Sequence, residues 1–411
     1  MIGENRRADM QQTYDRKKVW SWAFYDWALS AHTTTIVAGF FPVFYKQYWA
    51  GALDASASSF YLGLTHSLSG LIIALMAPAL GAIADKGALK IPLLLIFSLL
   101  GFGATLGLFF IGAGAWPAAL WVFGISMLGY GGAMIFYDAL LVLVAPAARA
   151  HGVSSLGYGL GYLGGGLLFA INIAMVMQPQ VFGLADNAAA VRWSFVTVAA
   201  WWALFSLPIF LWVREPRPAV RPPLRAAVIG GFRELAATFR EVRKLKPVFI
   251  FLLAYWLYID GVGTIIRMAV DFGMNLGFDG GQLMLALLIT QFVAFPASLF
   301  FGYLARRLGA KTGIFIAIGG YIAISLWTVM VTAIWEFFAI AVAIGCVQGG
   351  IQALSRSFYA RLIPAERSGE FFGFYNMLGK FAAVLGPVMM GAVAALSGPR
   401  YSVLALLVLF I

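Results

Sequence analysis

The chain has 411 residues, of which 62% are hydrophobic, 16% aromatic and 11% charged, with a mean hydropathy of +0.88. A soluble domain carries about 25% charged residues, so this composition excludes a water-soluble globular protein and a disordered chain, and the long unbroken apolar runs exclude a barrel of short alternating strands. The formal net charge of +11 would suit a nucleic-acid binder, but in a membrane chain a basic excess marks the loops on the cytoplasmic side.

Arg6, Arg7 and Arg16 to Lys18 precede an apolar run too long for a signal-peptide core, with no small-residue cleavage site, so no cleavable signal is expected. Apolar runs of about 20 residues or more, enough to cross roughly 30 Å of hydrocarbon, fall near 19–45, 59–84, 90–113, 117–144, 153–177 and 193–213. A second set falls near 247–270, 281–305, 311–333, 335–363 and 370–396, which makes eleven spans. A twelfth begins at Tyr401 and stops at Ile411. At 1.5 Å per residue it reaches only about 17 Å, so the sequence is expected to end inside a helix.

With a cytoplasmic N-terminus and alternating spans, 22 of the 28 Lys and Arg residues lie on the cytoplasmic side and three (Lys46, Arg192, Arg400) outside. Arg267, Arg356 and Lys380 fall within spans. This asymmetry predicts a multi-pass protein of the plasma (inner) membrane with its N-terminus in the cytoplasm, and points to membrane lipid rather than nucleic acid as a partner. The single cysteine, Cys346, cannot form an intramolecular disulfide and is expected to be a small buried apolar residue.

The only long loop, residues 214–246, holds nine Lys or Arg residues and divides the chain into an N-terminal six-helix bundle, 1–213, and a C-terminal bundle, 247–411. Pro216, Pro218, Pro222 and Pro223 predict extended chain. Leu224, Val228, Phe232, Leu235, Phe239 and Val242, spaced by three and four among charged residues, predict an amphipathic helix on the membrane surface.

The halves repeat. Gly81-Ala-Ile-Ala-Asp85-Lys86-Gly87-Ala-Leu-Lys90, after the second span, answers to Gly302-Tyr-Leu-Ala-Arg306-Arg307-Leu-Gly309-Ala-Lys311 after the eighth. Gly131-Gly132, Pro146 and Arg149 recur 218 residues later as Gly349-Gly350, Pro364 and Arg367. Two like halves of parallel topology are the signature of a transporter with a twofold axis along the membrane normal.

The loop at Gly81–Lys90, with its second copy, resembles the loop signature of the major facilitator superfamily. Three further stretches resemble its vacuolar-effluxer-like branch, related to the autophagy-linked vacuolar amino-acid exporters. They are Trp22-Ala-Phe-Tyr-Asp26-Trp27-Ala-Leu-Ser30-Ala, Leu156-Gly-Tyr-Gly-Leu-Gly-Tyr-Leu-Gly-Gly-Gly166 and Phe371-Phe-Gly-Phe-Tyr-Asn-Met-Leu-Gly-Lys380-Phe. The resemblance covers nearly the whole chain. It implies an all-α, twelve-helix fold of two pseudo-symmetric six-helix bundles, alternating access, and export of amino acids or similar small solutes. It further implies that helices 1, 4, 7 and 10 line a central cavity and that Asp85 braces the cytoplasmic interface between the halves, although the second copy has Arg306 where the first has Asp85. The Gly-Pro-x-x-Gly-Gly element that drug/proton antiporters carry in span five is absent, since Gly161–Gly166 has no proline, which argues against drug efflux.

A charge inside a bilayer costs at least about 2.5–3.5 kcal/mol, so each needs a partner, a wet cavity or a function. Six stand in or near spans: Asp26, Asp138, Asp260, Arg267, Arg356 and Lys380. Asp138 and Arg356 are separated by 218, the repeat offset itself, and would face one another across the axis when the cytoplasmic side closes, as an ionic latch; the alternative is that each pairs within its own half or snorkels. Gln348, Gln352 and Arg356 form an i, i+4, i+8 row, matched on helix 4 by Tyr130, Met134 and Asp138. The row suits binding of a polar solute, with Arg356 as a fork for an anion, or equally structural bonding between helices. Tyr25, Asp26, His32 and Thr33 are further polar groups on helix 1, and Asn376 and Lys380 lie one turn apart on helix 11.

Proton coupling needs a group whose charge changes as the cavity opens and closes. Asp260 or Asp26, alternately paired and unpaired with a cation such as Lys380, is the physical type, with His32 a further titratable candidate. Arg267 is expected to pair locally with Asp271 at i+4.

No Gly-x-x-x-x-Gly-Lys-Ser/Thr loop is present, and His32, His66 and His151 are scattered without ligand spacing, so neither a nucleotide cofactor nor a metal is expected. Gly159-x-Gly161-x-x-Gly164 satisfies the dinucleotide fingerprint but lies inside an apolar span; Gly157, Gly161 and Gly165 read better as a close-packing surface. The expected function is a monomeric secondary transporter exporting a small polar solute in exchange for protons, not an enzyme. A drug- or sugar-type carrier, a non-transporting receptor and an intramembrane enzyme are the rivals.

Overall fold

The computed structural model describes residues 15–216, 244–382 and 385–411. The amphipathic helix expected between Leu224 and Val242 lies outside the described residues. Among those residues the regular structure is helical, as hydrocarbon demands of a chain whose backbone groups must be satisfied within each span.

Helix α1 covers residues 16–49. It starts at Asp15, whose carboxylate accepts from the Lys17 and Lys18 N–H groups, and runs as an α-helix over Arg16–Ala31. It then widens to π-helical turns over His32–Phe40, tightens at Phe41–Phe44, and widens again over Tyr45–Trp49. There follow α2 (Ala55–Gly87), α3 (Lys90–Gly107), α4 (Trp116–Val144), α5 (Ala150–Met177) and α6 (Asn187–Trp212). The second half holds α7 (Lys246–Asn275), α8 (Gly280–Leu308), α9 (Ala310–Thr328) and α10 (Ile334–Leu362). Helix α11 has two described pieces, Ser368–Phe381 and Leu385–Ser397, and α12 runs as Pro399–Leu406 and Leu407–Phe410.

Ten helices among the described residues are long and apolar enough to cross a membrane. Helix α1, with its interrupted pattern, supplies the further long run that the sequence predicts. Aspartates at the turns cap the starts of α2, α6 and α8: Asp54 accepts from Ala57 N, Asp186 from Ala189 N and Asp279 from Gly281 N. Glu215 instead reaches back from beyond α6 to accept from Ile91 N at the start of α3, and burial holds its carboxyl above the usual carboxylate range. The outward surface is apolar, with Leu75, Ile96, Trp121, Leu204, Ile250 and Phe300 exposed, as contact with hydrocarbon requires. Cys346, expected to be buried, is exposed.

Glycine decides how closely α5 approaches α1. A Cβ on Gly161 would fall 2.5 Å from Ser30 Oγ, and one on Gly157 2.8 Å from the Trp22 ring. Larger residues there would force the helices apart and displace Asp26 and Arg356, which lie about 3 Å from those same sites. The halves meet along two long seams, α2 with α11 and α5 with α8. The face on which α1 and α7 begin carries Lys17, Lys90, Arg149, Arg306, Arg307, Lys311, Arg361 and Arg367 near helix ends; it is called the basic face below.

Candidate functional site

A cavity of about 380 Å³ lies between the halves. Helices α1, α4, α7 and α10 line it, as the resemblance implies, but α5, α8 and α11 contribute as well. The wall is polar and aromatic: Asp26, Thr33, Tyr130, Gln348, Gln352, Asn376 and Lys380 among the expected residues, with Tyr158, Tyr162, Tyr255, Tyr375 and Gln291 added by the fold. Tyr158 and Tyr162 stand one turn apart on the glycine-rich helix α5, a spacing visible in the sequence but masked by the packing role of the glycines between them.

The floor is built on Arg356, which is fully buried. Its Nη1 donates to Asp138 Oδ1 and its Nη2 to Asp26 Oδ2, both at 3.3 Å. Its Nε donates to Ser154 Oγ at 3.0 Å, and Nη2 also reaches Ser154 O at 3.1 Å. The guanidinium lies over the rings of Tyr158 (4.1 Å), Trp22 (4.7 Å) and Tyr137 (5.3 Å), a planar cation stacked as such groups favour. Tyr137 donates to Asp26 at 2.9 Å, and Asn376 Nδ2 to Asp138 Oδ2 at 3.1 Å. The structure therefore joins Asp138 and Arg356 across the halves, and gives Arg356 a second carboxylate, Asp26, that the repeat offset does not indicate.

Above this floor, Tyr162 links two of the amides, accepting from Gln348 at 3.2 Å and donating to Gln352 at 2.8 Å. Gln291 donates to Thr34 at 2.6 Å, a further link between the halves. Lys380 lies with its ammonium 5.4 Å from the Tyr130 ring centre.

Not every expected residue reaches the cavity. Tyr25 shares a hydrogen bond with Ser98 at 2.6 Å and His32 one with Ser126 at 2.6 Å, each within the first half and fully buried. Asp260 is buried beside α11, accepting from Gly386 N at 2.9 Å and Thr264 Oγ1 at 3.3 Å. Its cation is Arg267, at 3.9 Å on the same helix, rather than Lys380. Arg267 thus turns inward and lines the cavity instead of forming only the expected surface pair; the side chain of Asp271 lies outside the described residues.

At the basic face the two seams close differently. Asp85 accepts from Gly369 N (3.0 Å) and Glu370 N (2.8 Å) at the start of α11, and from Lys90 Nζ (2.7 Å). Gly81 and Gly373 let α2 and α11 touch: a Cβ on Gly373 would meet Ala77 O at 2.5 Å. Beside the other seam, where α10 meets α5, Arg361 donates to His151 Nε2 at 2.8 Å, which leaves Nδ1 to donate to Ser357 Oγ at 2.8 Å. Ser154 donates to Ala353 O at 2.8 Å, and Gly302 packs on Ser155. Arg306 and Arg307 stay on the surface over Tyr303, and Lys311 over Phe315. Lys86 stands beside Asp85 at the end of α2.

The chain is similar to proteins of known family. The family described as "Vacuole effluxer Atg22 like" matches residues 47–411. An uncharacterized MFS-type transporter, YxiO, of Bacillus subtilis is 39% identical over 394 residues, 95% of this chain and 92% of the relative. Autophagy-related protein 22-2 of Aspergillus clavatus is 28% identical over 287 residues, 62% of this chain and 46% of that protein, so the match spans under half of the fungal relative. Among solved structures, the human organic anion transporter MFSD10 and the proton:xylose symporter XylE each give a TM-score of 0.72 at 15% identity, covering 97% of this chain and 99% and 94% of theirs. At that identity the likeness is one of fold.

Proposed function

We propose a transport cycle for this chain, which belongs to the vacuole effluxer Atg22-like family of major facilitator superfamily transporters. The cycle moves a small polar, amino-acid-like solute out of the cell by alternating access, coupled to protons. The observation that carries this reading is the cavity between the halves, walled by amides, phenols and charges and closed beneath by Arg356 holding carboxylates of α1 and α4. Rocking the halves about the two seams would break that floor and open the solute to the basic face.

Arg356 faces two carboxylates, so with all three groups ionised the cluster holds one negative charge in excess. We place the coupling proton on this pair, at Asp26, because Asp26 lines the cavity and can exchange with it whereas Asp260 does not. The excess of Lys and Arg on the basic face supports a cytoplasmic placement of that face and of the N-terminus, and the effluxer description of the family supports export. The described wall of the cavity comes from one chain, which supports a monomer as the transporting unit.

The experiment is flux in proteoliposomes. Labelled amino acids should move down an opposing pH gradient and the gradient should collapse with them, with Asp26→Asn retaining exchange of solute but losing proton movement. Purified protein that binds solute without flux would instead be a receptor.

A further inference from the structure

We propose that the solute is an organic anion whose carboxylate seats against Lys380; this rests on the transport reading above and narrows it to a charge class. Among the described residues three acids and three bases lie at membrane depth in or beside the site. Arg356 is held by Asp26 and Asp138, and Arg267 stands by Asp260. Lys380 has no carboxylate within 4.0 Å among the described residues; its neighbour is the face of Tyr130. A cation–π contact offsets about 0.5–2 kcal/mol, less than the roughly 2.5–3.5 kcal/mol that a cation costs at that depth. Asp138, which acts on Lys380 from beyond 4.0 Å, is bound by Arg356 and Asn376, so an anion in the cavity that Lys380 lines would be the contacting counter-charge it lacks.

The other lining charges agree with an anion. Asp26 is the sole acid on the described wall and is already bound by Arg356 and Tyr137, so a substrate ammonium finds no carboxylate without a partner there. Arg267, also on the wall, adds a second cation within electrostatic range of Lys380. Gln352 spends its carbonyl on Tyr162, and its NH₂ has no protein acceptor among the described residues, so it can donate to the second carboxylate oxygen. Protonating the Asp26–Asp138 pair would leave the site one positive charge in excess, which a carboxylate on Lys380 cancels. A proton and an organic anion would therefore favour each other's binding.

The test needs no knowledge of the natural solute. On a Cys346→Ser background, Met134→Cys places a thiol on the cavity wall. Its labelling is timed with a sulfonate-bearing and a trimethylammonium-bearing methanethiosulfonate, each normalised to its rate with free cysteine. The anionic reagent should be favoured, the ratio should fall about five-fold or more with Lys380→Gln, and Lys380→Arg should keep it within about two-fold. A cationic preference, or a ratio indifferent to Lys380→Gln, overturns the proposal. Thermal shift with N-acetylphenylalanine, phenylalanine and phenylalaninamide then reads the charge class: the N-acetylated anion should raise the melting temperature most, and an equal or absent response across the three overturns the carboxylate assignment. Proteoliposome flux run alongside separates the two claims. Flux without anion preference retains the transporter and removes this site; anion preference without flux does the reverse.

Discussion

At the α2/α11 corner of the basic face a carboxylate, Asp85, holds the first backbone N–H groups of a helix in the other half, whereas the α5/α10 corner has no such carboxylate among the described residues and is held through His151, Ser357 and Arg361, with Ser154 donating to Ala353 O. The repeat predicts two like corners. Gly369 repeats His151 at the offset of 218, and Arg306 stands in the second loop where Asp85 stands in the first. A carboxylate accepts from free N–H groups at a helix start and is favoured by the positive end of the dipole; an arginine has no acceptor and is disfavoured there. One exchange of charge in a repeated loop thus obliges the second corner to close by other means. The lesson is that pseudo-symmetry of backbone does not carry over to pseudo-symmetry of interaction.

Between the corners stands Arg356, and its removal tests whether either corner can hold without it. Arg356→Gln leaves two buried carboxylates without their cation, which costs about 3–5 kcal/mol. We expect the basic face to lose its closed state and flux to fall by more than 100-fold. Labelling of the Met134→Cys reporter from the basic side should rise accordingly; unchanged labelling would show the corners to be sufficient. The exchanged pair Asp138→Arg with Arg356→Asp should not restore function, because an aspartate at 356 would meet Asp26 and lose its three aromatic neighbours.

The next largest effect belongs to the first corner. Asp85→Asn keeps the shape but replaces charged acceptance from two N–H groups and Lys90 with a neutral amide, a loss of about 1.5–3 kcal/mol. Reporter labelling from the basic side should increase roughly ten- to hundred-fold. His151→Phe at the second corner removes two side-chain bonds of a buried imidazole, but Ser357 keeps its bond to Ala353 O, so the change should cost about 1 kcal/mol, or roughly five-fold. Equal effects of the two substitutions would erase the comparison.

Much of this was legible in the sequence because it depends on local pattern. Spans follow from apolar length, and the meeting of Asp138 with Arg356 follows from an arithmetic offset between repeats. What escaped is what depends on rotation about a helix axis or on contact without repeat. Asp26 reaches Arg356 across 330 residues with no symmetry mate to flag it. Arg267 finds Asp260 seven residues back, two turns on the same face, a spacing as readable as the i+4 to Asp271 but less familiar. His32 looks like a cavity group by position on α1, yet the π-helical turns that begin at that residue leave it bonded inward to Ser126.

The smallest expected effect discriminates most sharply between the corners. Arg306→Asp restores at the second loop the charge that Asp85 has at the first, opposite the start of α5. If the difference between corners arises from that single sign, the new carboxylate should find the N–H groups near Ala150 and His151, and stabilise closure by about 0.3–1 kcal/mol as a charge at a helix start does. Reporter labelling from the basic side should then slow by about two- to five-fold, and the cost of His151→Phe should shrink in the same background, since one device would substitute for the other. A double-mutant cycle over Arg306→Asp and His151→Phe measures this coupling directly. Strict additivity would mean that the loop backbone, not its charge, keeps α8 from gripping α5, and the comparison would then rest on geometry rather than on sign.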